Sequence, residues 1–146
     1  MKEYSWTTGG FNYKQDPNEV GKELEKLGDE LTPKNIVNLA RNENSILHEM
    51  FEWDDTAAAE QYRKQQANLI IQNLKITVIA DDNTERKVKA FVTVKRNTVF
   101  EPIEKVVKDV DKYSLLLDKA YKELNGIKIK YRELQEIQDL LSDIPV

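Results

Sequence analysis

The sequence predicts a mainly helical α+β fold, and three observations carry this prediction. Apolar residues recur at helical spacing between residues 16 and 74, and again after residue 97. Over about residues 75–95 the apolar period falls from about 3.6 residues to 2, which indicates a β-hairpin. Proline follows a capping Asp or Thr at two predicted helix starts. We therefore expect an aromatic N-terminal arm over residues 1–15, a domain over residues 16–97 and a C-terminal helical hairpin over residues 98–146.

The first part of the predicted domain contains short helices followed by a long one. Asp16-Pro17 and Thr32-Pro33 each place a capping side chain before a proline that suits the first helical turn. Ser45 can cap a further short helix. Asp54-Asp55-Thr56 is another cap cluster, and behind it a helix is predicted over about residues 56–74. The residues expected on the buried side of this long helix are Ala59, Tyr62, Leu69 and Ile70.

The hairpin is predicted from two alternating segments around a polar turn. Residues 75–80 form the first strand, residues 81–86 the turn and residues 87–95 the return strand. In the return strand one face carries small and branched apolar residues. The other face carries Lys87, Lys89, Thr93 and Lys95. We therefore expect one buried and one solvated face.

The two ends of the chain complete the prediction. Four aromatic residues surround Gly9-Gly10, so residues 1–15 are expected to form an irregular arm whose aromatics dock on the core; the alternative is that the arm grips a partner. Apolar residues spaced three and four apart run from Ile103 to Leu124, and Asn125-Gly126 is a predicted helix end. This seam is about 33 Å long and its antiparallel mate about 20 Å. Either the N-terminal domain or a second copy covers the excess, and we expect a homodimer through residues 103–141.

Composition excludes several classes of protein. The chain has no Cys, which excludes disulfides and thiolate metal sites. It has no apolar run long enough to span a bilayer and no N-terminal run typical of a signal peptide, so a soluble cytoplasmic protein is expected. The net charge of −4 is unevenly distributed: residues 61–100 carry 8 Lys/Arg against 3 Asp/Glu, and both flanks are acidic. Such a basic segment is typical of an anion-binding surface, or of the ordinary solvated face of a hairpin.

The predicted order of elements suggests a nucleic-acid interface. Short helices, then a long helix, then a β-hairpin is the order of a winged helix-turn-helix, in which the long helix enters the major groove. We expect base contacts from Arg63, Lys64 and Gln66, because Arg, Lys and Gln side chains can pair with base edges. We expect phosphate contacts from three lysines of the hairpin, Lys87, Lys89 and Lys95. The alternative is that these residues only form the solvated faces that any helix or hairpin needs.

Chemical signatures are otherwise weak. His48 and Glu52 stand four apart and could share a helix face, but the chain has only one His, so a metal site is not predicted. The sequence has no Gly-rich phosphate loop, no Gly-x-Ser-x-Gly and no Cys nucleophile. We therefore expect no catalytic residue and no cofactor, and we do not expect an enzyme.

Part of the chain resembles a group of viral proteins. Residues 31–70 contain the runs Leu31-Thr32-Pro33, Phe51-Glu52-Trp53-Asp54-Asp55 and Tyr62-Arg63. With these runs, residues 20–75 resemble small, largely uncharacterised proteins encoded by bacteriophages and prophages. The resemblance implies a viral or prophage origin and action inside a bacterium, and it supplies no catalytic or binding residue.

Two functions follow from these patterns. The first is a nucleic-acid-binding accessory or regulatory protein that acts on DNA. The second is a non-enzymatic module that docks on a host or phage protein through the seam, the arm or the acidic first helix. A basic groove between the long helix and the hairpin would favour the first function. A contiguous exposed apolar patch on the tail would favour the second.

Overall fold

The computed structural model describes residues 2–10, 12–54, 59–95 and 98–143. Over these ranges the chain contains six α-helices and two small antiparallel sheets, which confirms the α+β class. It divides into two compact units, Met1–Ile103 and Glu104–Val146. The elements in chain order are β1 (Tyr4–Trp6), α1 (Pro17–Glu25), α2 (Pro33–Ala40), α3 (Ala59–Asn73), β2 (Leu74–Ile79), β3 (Glu85–Lys89), β4 (Phe91–Thr93), β5 (Phe100–Pro102), α4 (Ile103–Lys108), α5 (Val110–Lys130) and α6 (Gln135–Leu140).

The predicted helix caps of α1 and α2 are confirmed. The Asp16 carboxylate accepts a hydrogen bond from the backbone N–H of Asn18 at 2.9 Å. The Thr32 hydroxyl accepts one from the N–H of Asn35 at 3.2 Å. Each bond satisfies an N–H that has no partner inside its helix. The Ser45 hydroxyl likewise accepts from the N–H of Leu47, but only a 3₁₀ turn, His48–Met50, follows it. The cap predicted at Asp54-Asp55-Thr56 lies partly outside the described residues, because Asp55 and Thr56 are not among them.

The larger sheet has the strand order β1-β2-β3, and β2 leads directly on from α3. The predicted turn between β2 and β3 is present, with Asn83 at a φ of 65°, a left-handed conformation that Asn tolerates. Residues 4–6 pair with β2, so the expectation of an irregular arm is wrong there. Trp6 and Tyr13 pack against the core, which confirms the expected docking. The Phe11 side chain lies outside the described residues.

The return strand of the hairpin is shorter than predicted. It ends at Lys89, because the next residue, Ala90, is buried and links two parts of the chain. The Ala90 N–H donates to the carbonyl of Leu74, and the Ala90 carbonyl accepts from the N–H of Ile103. The chain then enters a second sheet, in which β4 pairs with β5. Lys95 follows β4 and is therefore not part of the hairpin, contrary to the prediction.

One hydrophobic core lies between the helices and one face of the larger sheet. It includes Leu24, Ile36, Ile70 and Leu74, all fully buried. The fully or nearly buried positions of α3 are Ala59, Arg63, Ala67, Ile70 and Ile71.

The predicted buried side of α3 is partly wrong. Tyr62 is 52% exposed and Leu69 is 39% exposed. The buried stripe passes one position further along, because Arg63 occupies the place next to Ala59 and Ala67 that an apolar residue was expected to fill.

The C-terminal unit contains α5 and α6, and the prediction of one helix from Ile103 to Leu124 is wrong. The helix breaks at Asp109, whose carboxylate accepts hydrogen bonds from the N–H groups of Asp111 and Lys112, each at 3.1 Å. The helix α5 then continues through Gly126, where an end was predicted. The Gln138 side-chain amide donates to the carbonyls of Lys128 and Tyr131, which ties α6 to the end of α5.

Candidate nucleic-acid interface

The outer face of the larger sheet carries three lysines, Lys75, Lys87 and Lys89, which we call the lysine face. Strand pairing places Lys75 of β2 directly opposite Lys89 of β3, and Thr77 opposite Lys87. Alternate residues point to the other side of a sheet, so Ile76 and Val88 turn toward the core. Lys87 and Lys89 are exposed and Lys75 is half-buried.

The charges of the lysine face are not balanced within the sheet. In the part of the chain that the structure describes, none of the three lysines forms an ion pair. Glu3 and Glu85 lie at the borders of the same face, so positive charge concentrates at the Lys75–Lys89 row. Like charges directly opposite each other in a sheet are destabilising. The sheet therefore carries a local electrostatic cost that a bound anion would relieve.

Arg63, predicted to read bases, is not presented to solvent. Its side chain is buried, with a relative exposure of 3% for the residue. The guanidinium donates from Nε to the carbonyl of Glu52 at 2.8 Å and from one terminal nitrogen to the Glu60 carboxylate at 3.2 Å. It also lies 5.0 Å from the centre of the Trp53 ring. Arg63 thus makes contacts inside the N-terminal unit, and we assign it no contact with a partner.

Trp53 is the centre of a compact aromatic and charged cluster. Its ring stacks on His48 with the ring centres 5.0 Å apart, and the Arg41 guanidinium lies 5.6 Å away. Glu60 joins the two arginines, with a 2.6 Å contact to Arg41. The hydrogen bond from Arg41, aided by Arg63, holds the pKa of Glu60 below its ordinary value of 4.5.

The same cluster contains His48, which the sequence places four residues before Glu52 as a possible metal-ligand pair. His48 Nδ1 lies 2.8 Å from the carbonyl oxygen of Ala40, and the indole N–H of Trp53 donates to the backbone carbonyl of His48. Glu52 lies beyond the short helix and is exposed. Within the described ranges, no group of three or more His, Cys, Asp or Glu side chains could hold a metal ion.

Lys64 and Gln66 take different positions on α3. The side-chain oxygen of Gln66 accepts a hydrogen bond from the N–H of Glu52 at 3.2 Å, so this amide is partly engaged. Lys64 lines a groove of about 500 Å³ between α3 and the start of α2. We call it the α2–α3 groove. Its lining residues are Thr32, Pro33, Lys34, Gln61, Lys64, Gln65, Asn68 and Thr98.

The structure brings some of the predicted site residues together and separates others. Lys87 and Lys89 share one surface, and Lys75 joins them. Lys64 lines a groove between two helices and not between the long helix and the hairpin, where a basic groove would favour the nucleic-acid function. Lys34 was not singled out from the sequence, because its approach to Lys64 depends on the packing of α2 against α3, which no local pattern reveals.

Comparisons with known proteins add no family to this picture. No protein-family profile matches the chain, and neither curated proteins nor solved structures give a match. No helix in the described ranges is both long and apolar enough to cross a membrane.

Proposed function

We propose that the chain is a phage- or prophage-encoded nucleic-acid-binding accessory or regulatory protein that acts in the cytoplasm of a bacterium. The observation that carries this proposal is the directly opposed pair Lys75–Lys89, without an ion pair among the described residues. Phosphate groups supply the closely spaced negative charge that such a surface lacks, and their neutralisation releases counterions. Lys87 extends the contact along the same strand.

In this proposal the lysine face binds the backbone and α3 contributes polar contacts from its exposed side. Two features support a winged-helix type of binding: α3 leads directly into the hairpin, and the hairpin carries the lysines. Two others depart from the usual motif. In the described part of the chain, residues 41–54 already separate α2 from α3, where a helix-turn-helix has a turn of about three or four residues, and β1 precedes the helices. We therefore assign phosphate binding to the hairpin and propose no sequence-specific contact for Arg63.

The test is a binding titration monitored by fluorescence anisotropy. Labelled duplex and single-stranded DNA of mixed sequence are titrated with protein at low and moderate salt. Three phosphate contacts predict that affinity falls about 40-fold between 50 and 200 mM salt. Replacement of all three lysines of the lysine face by Gln is expected to remove most of this salt dependence.

A charge-matched variant provides the control. Lys14, Lys22 and Lys105 are exposed and lie outside the lysine face, so changing all three to Gln gives the same net charge. This control is expected to retain most of the binding. Absence of salt-sensitive binding at micromolar protein, or an equal loss in both triple variants, contradicts the proposal.

A second candidate function is docking on a host or phage protein, and exposed apolar residues on α5 favour it. Val110 is 84% exposed, Tyr113 49% and Leu117 41%, and their spacing of three and four places them on one side of the helix. A patch of this kind is typical of a protein interaction surface. Capture from bacterial lysate treated with nuclease tests it: a stoichiometric protein partner that is lost on Leu117→Glu supports docking, and the absence of any stoichiometric protein partner contradicts it.

A further inference from the structure

The α2–α3 groove has a lining whose charge differs in sign from that of the whole chain. The chain has a net charge of −4, yet among the described residues that line the groove the charged ones are Lys34 and Lys64, and none is Asp or Glu. Neither lysine forms an ion pair among the described residues. Two ammonium groups facing one cavity favour an anionic ligand.

The remaining polar groups of the groove are amides and hydroxyls. Gln61, Gln65 and Asn68 follow one another on α3 at intervals of four and three, so they form one wall together with Lys64. Their side chains have no hydrogen-bond partner within the described part of the chain. A primary amide both donates and accepts, which is the pattern needed to pair with the edge of a nucleobase.

We propose that the α2–α3 groove binds one phosphorylated nucleoside, with the phosphate on Lys34 and Lys64 and the base against Gln61, Gln65 and Asn68. Its volume of about 500 Å³ lies within the range of small-ligand sites and is too small for a duplex. The ligand is a free nucleotide or an unpaired nucleotide of a bound strand. For the strand, the inference rests on the nucleic-acid binding proposed above; for a free nucleotide it stands by itself.

Nuclear magnetic resonance of the ¹⁵N-labelled full chain tests the site directly. The side-chain NH₂ signals of the three amides are observed while inorganic phosphate, adenosine, the four nucleoside 5′-monophosphates and a short single-stranded oligonucleotide are added in separate titrations. We expect a nucleotide or the oligonucleotide to shift these signals, and at least one nucleotide to bind about tenfold more tightly than phosphate or adenosine. Shifts with the free nucleotides identify a free ligand, and shifts with the oligonucleotide alone identify a strand-borne one.

Two variants separate this inference from the proposed function. Lys34→Gln combined with Lys64→Gln is expected to weaken binding at the groove at least tenfold, whereas Lys87→Gln combined with Lys89→Gln leaves the affinity for a free nucleotide unchanged. An unchanged backbone spectrum outside the groove shows that the first variant is folded, and Lys14→Gln combined with Lys22→Gln, two exposed positions, controls for net charge. The inference is overturned if no nucleotide or strand shifts the amide signals, or if phosphate alone reproduces the shifts. If DNA binds to the lysine face and the groove amide signals do not shift, the nucleotide site in the groove is refuted and the proposed function is not. If a nucleotide binds in the groove and DNA does not bind, the proposed function is refuted and the nucleotide site is not.

Discussion

Arg63 is the charged side chain on which the interior around Trp53 depends. It satisfies the carbonyl of Glu52, pairs with Glu60 and lies over the indole ring. Its aliphatic stem fills a place in the buried stripe of α3 between Ala59 and Ala67. A residue whose type suggested contact with DNA thus holds the helix against the segment that precedes it.

Replacing Arg63 with Leu is expected to destabilise the fold by about 2–4 kcal/mol. The change leaves a carbonyl without its charged donor and removes a cation–π contact, while the apolar volume is kept. Urea unfolding monitored by Trp fluorescence measures the loss. Gln72→Leu, an exposed change on the same helix, is the control and should shift stability by less than about 0.5 kcal/mol. Equal effects of the two changes would show that Arg63 is not structural.

Replacing Gly with Ala is expected to have opposite effects on stability at two helical positions. A Cβ at Gly21 of α1 would overlap the ring of Tyr4, which is buried, whereas a Cβ at Gly126 of α5 meets no atom within 4 Å. Gly21→Ala is therefore expected to cost about 1–3 kcal/mol, and Gly126→Ala to add about 0.5–1 kcal/mol through helix propensity. Thermal unfolding followed by circular dichroism distinguishes them; a rise in Tm for Gly21→Ala would contradict the contact with Tyr4.

Glu60 is expected to account for part of the stability that the fold loses as the pH falls. Its pKa is lowered in the folded state, by the hydrogen bond from Arg41 first, so it contributes stability above its ordinary pKa of 4.5 and this contribution is lost as pH falls through the folded value. Glu60→Gln should therefore flatten the decline in stability between about pH 5 and pH 3. Unfolding in urea across this range measures the slope. The exposed Glu19→Gln is the comparison, and an equal flattening there would contradict the role of Glu60.

At the scale of elements, β2 and β3 place two lysines directly opposite each other. Lys75 and Lys89 repel each other across the pair of strands, so Lys89→Glu is expected to stabilise the sheet by about 0.2–1 kcal/mol. The same change should weaken DNA binding, because it replaces a phosphate contact with a like charge. Unfolding and anisotropy measurements on this one variant test both effects. A variant that is more stable and binds DNA as before would remove the lysine face from the interface.

The elements also show what could be predicted from the sequence. The starts of α1 and α2 were predictable because Asp16 and Thr32 act on amides two or three residues away. The hairpin turn was predictable for the same local reason. The break at Asp109 was missed because the apolar spacing passes through it unchanged, and β1 was missed because a three-residue strand is defined by its partner β2. Tyr62 was misplaced because Arg63 packs where an apolar residue was expected.

At the scale of the whole molecule, the exposed side of α5 predicts self-association. Val110 and Leu117 are exposed and follow the predicted seam. Changing both to Glu is expected to convert a homodimer into a monomer in sedimentation measurements, since each Glu places a charge in an apolar contact. Leu115→Glu is the matched control: Leu115 is 45% exposed but lies off the seam, so the dimer should persist. A monomer for the unmodified protein at high micromolar concentration contradicts the prediction.

The candidate site could be predicted only in part. Lys87 and Lys89 were accessible to sequence reasoning because alternation along a strand is local. The opposition of Lys75 to Lys89 needs the strand register, and the groove needs the packing of α2 on α3. Both are properties of residues far apart in the chain, and they determine which charges meet.

The direct junction of α3 with β2 has a consequence for how the N-terminal unit opens. Asn73 ends the helix and Leu74 begins the strand, and the Asn73 carbonyl accepts from both the N–H and the hydroxyl of Thr7. No loop is available to absorb fraying, so the last turn of α3 cannot unwind without separating β1 from β2. Local unfolding here therefore becomes cooperative unfolding of helix and sheet together. The backbone amides of Ile70, Ile71 and Ile76 should accordingly exchange with solvent at similar, slow rates, as members of one unit that opens as a whole.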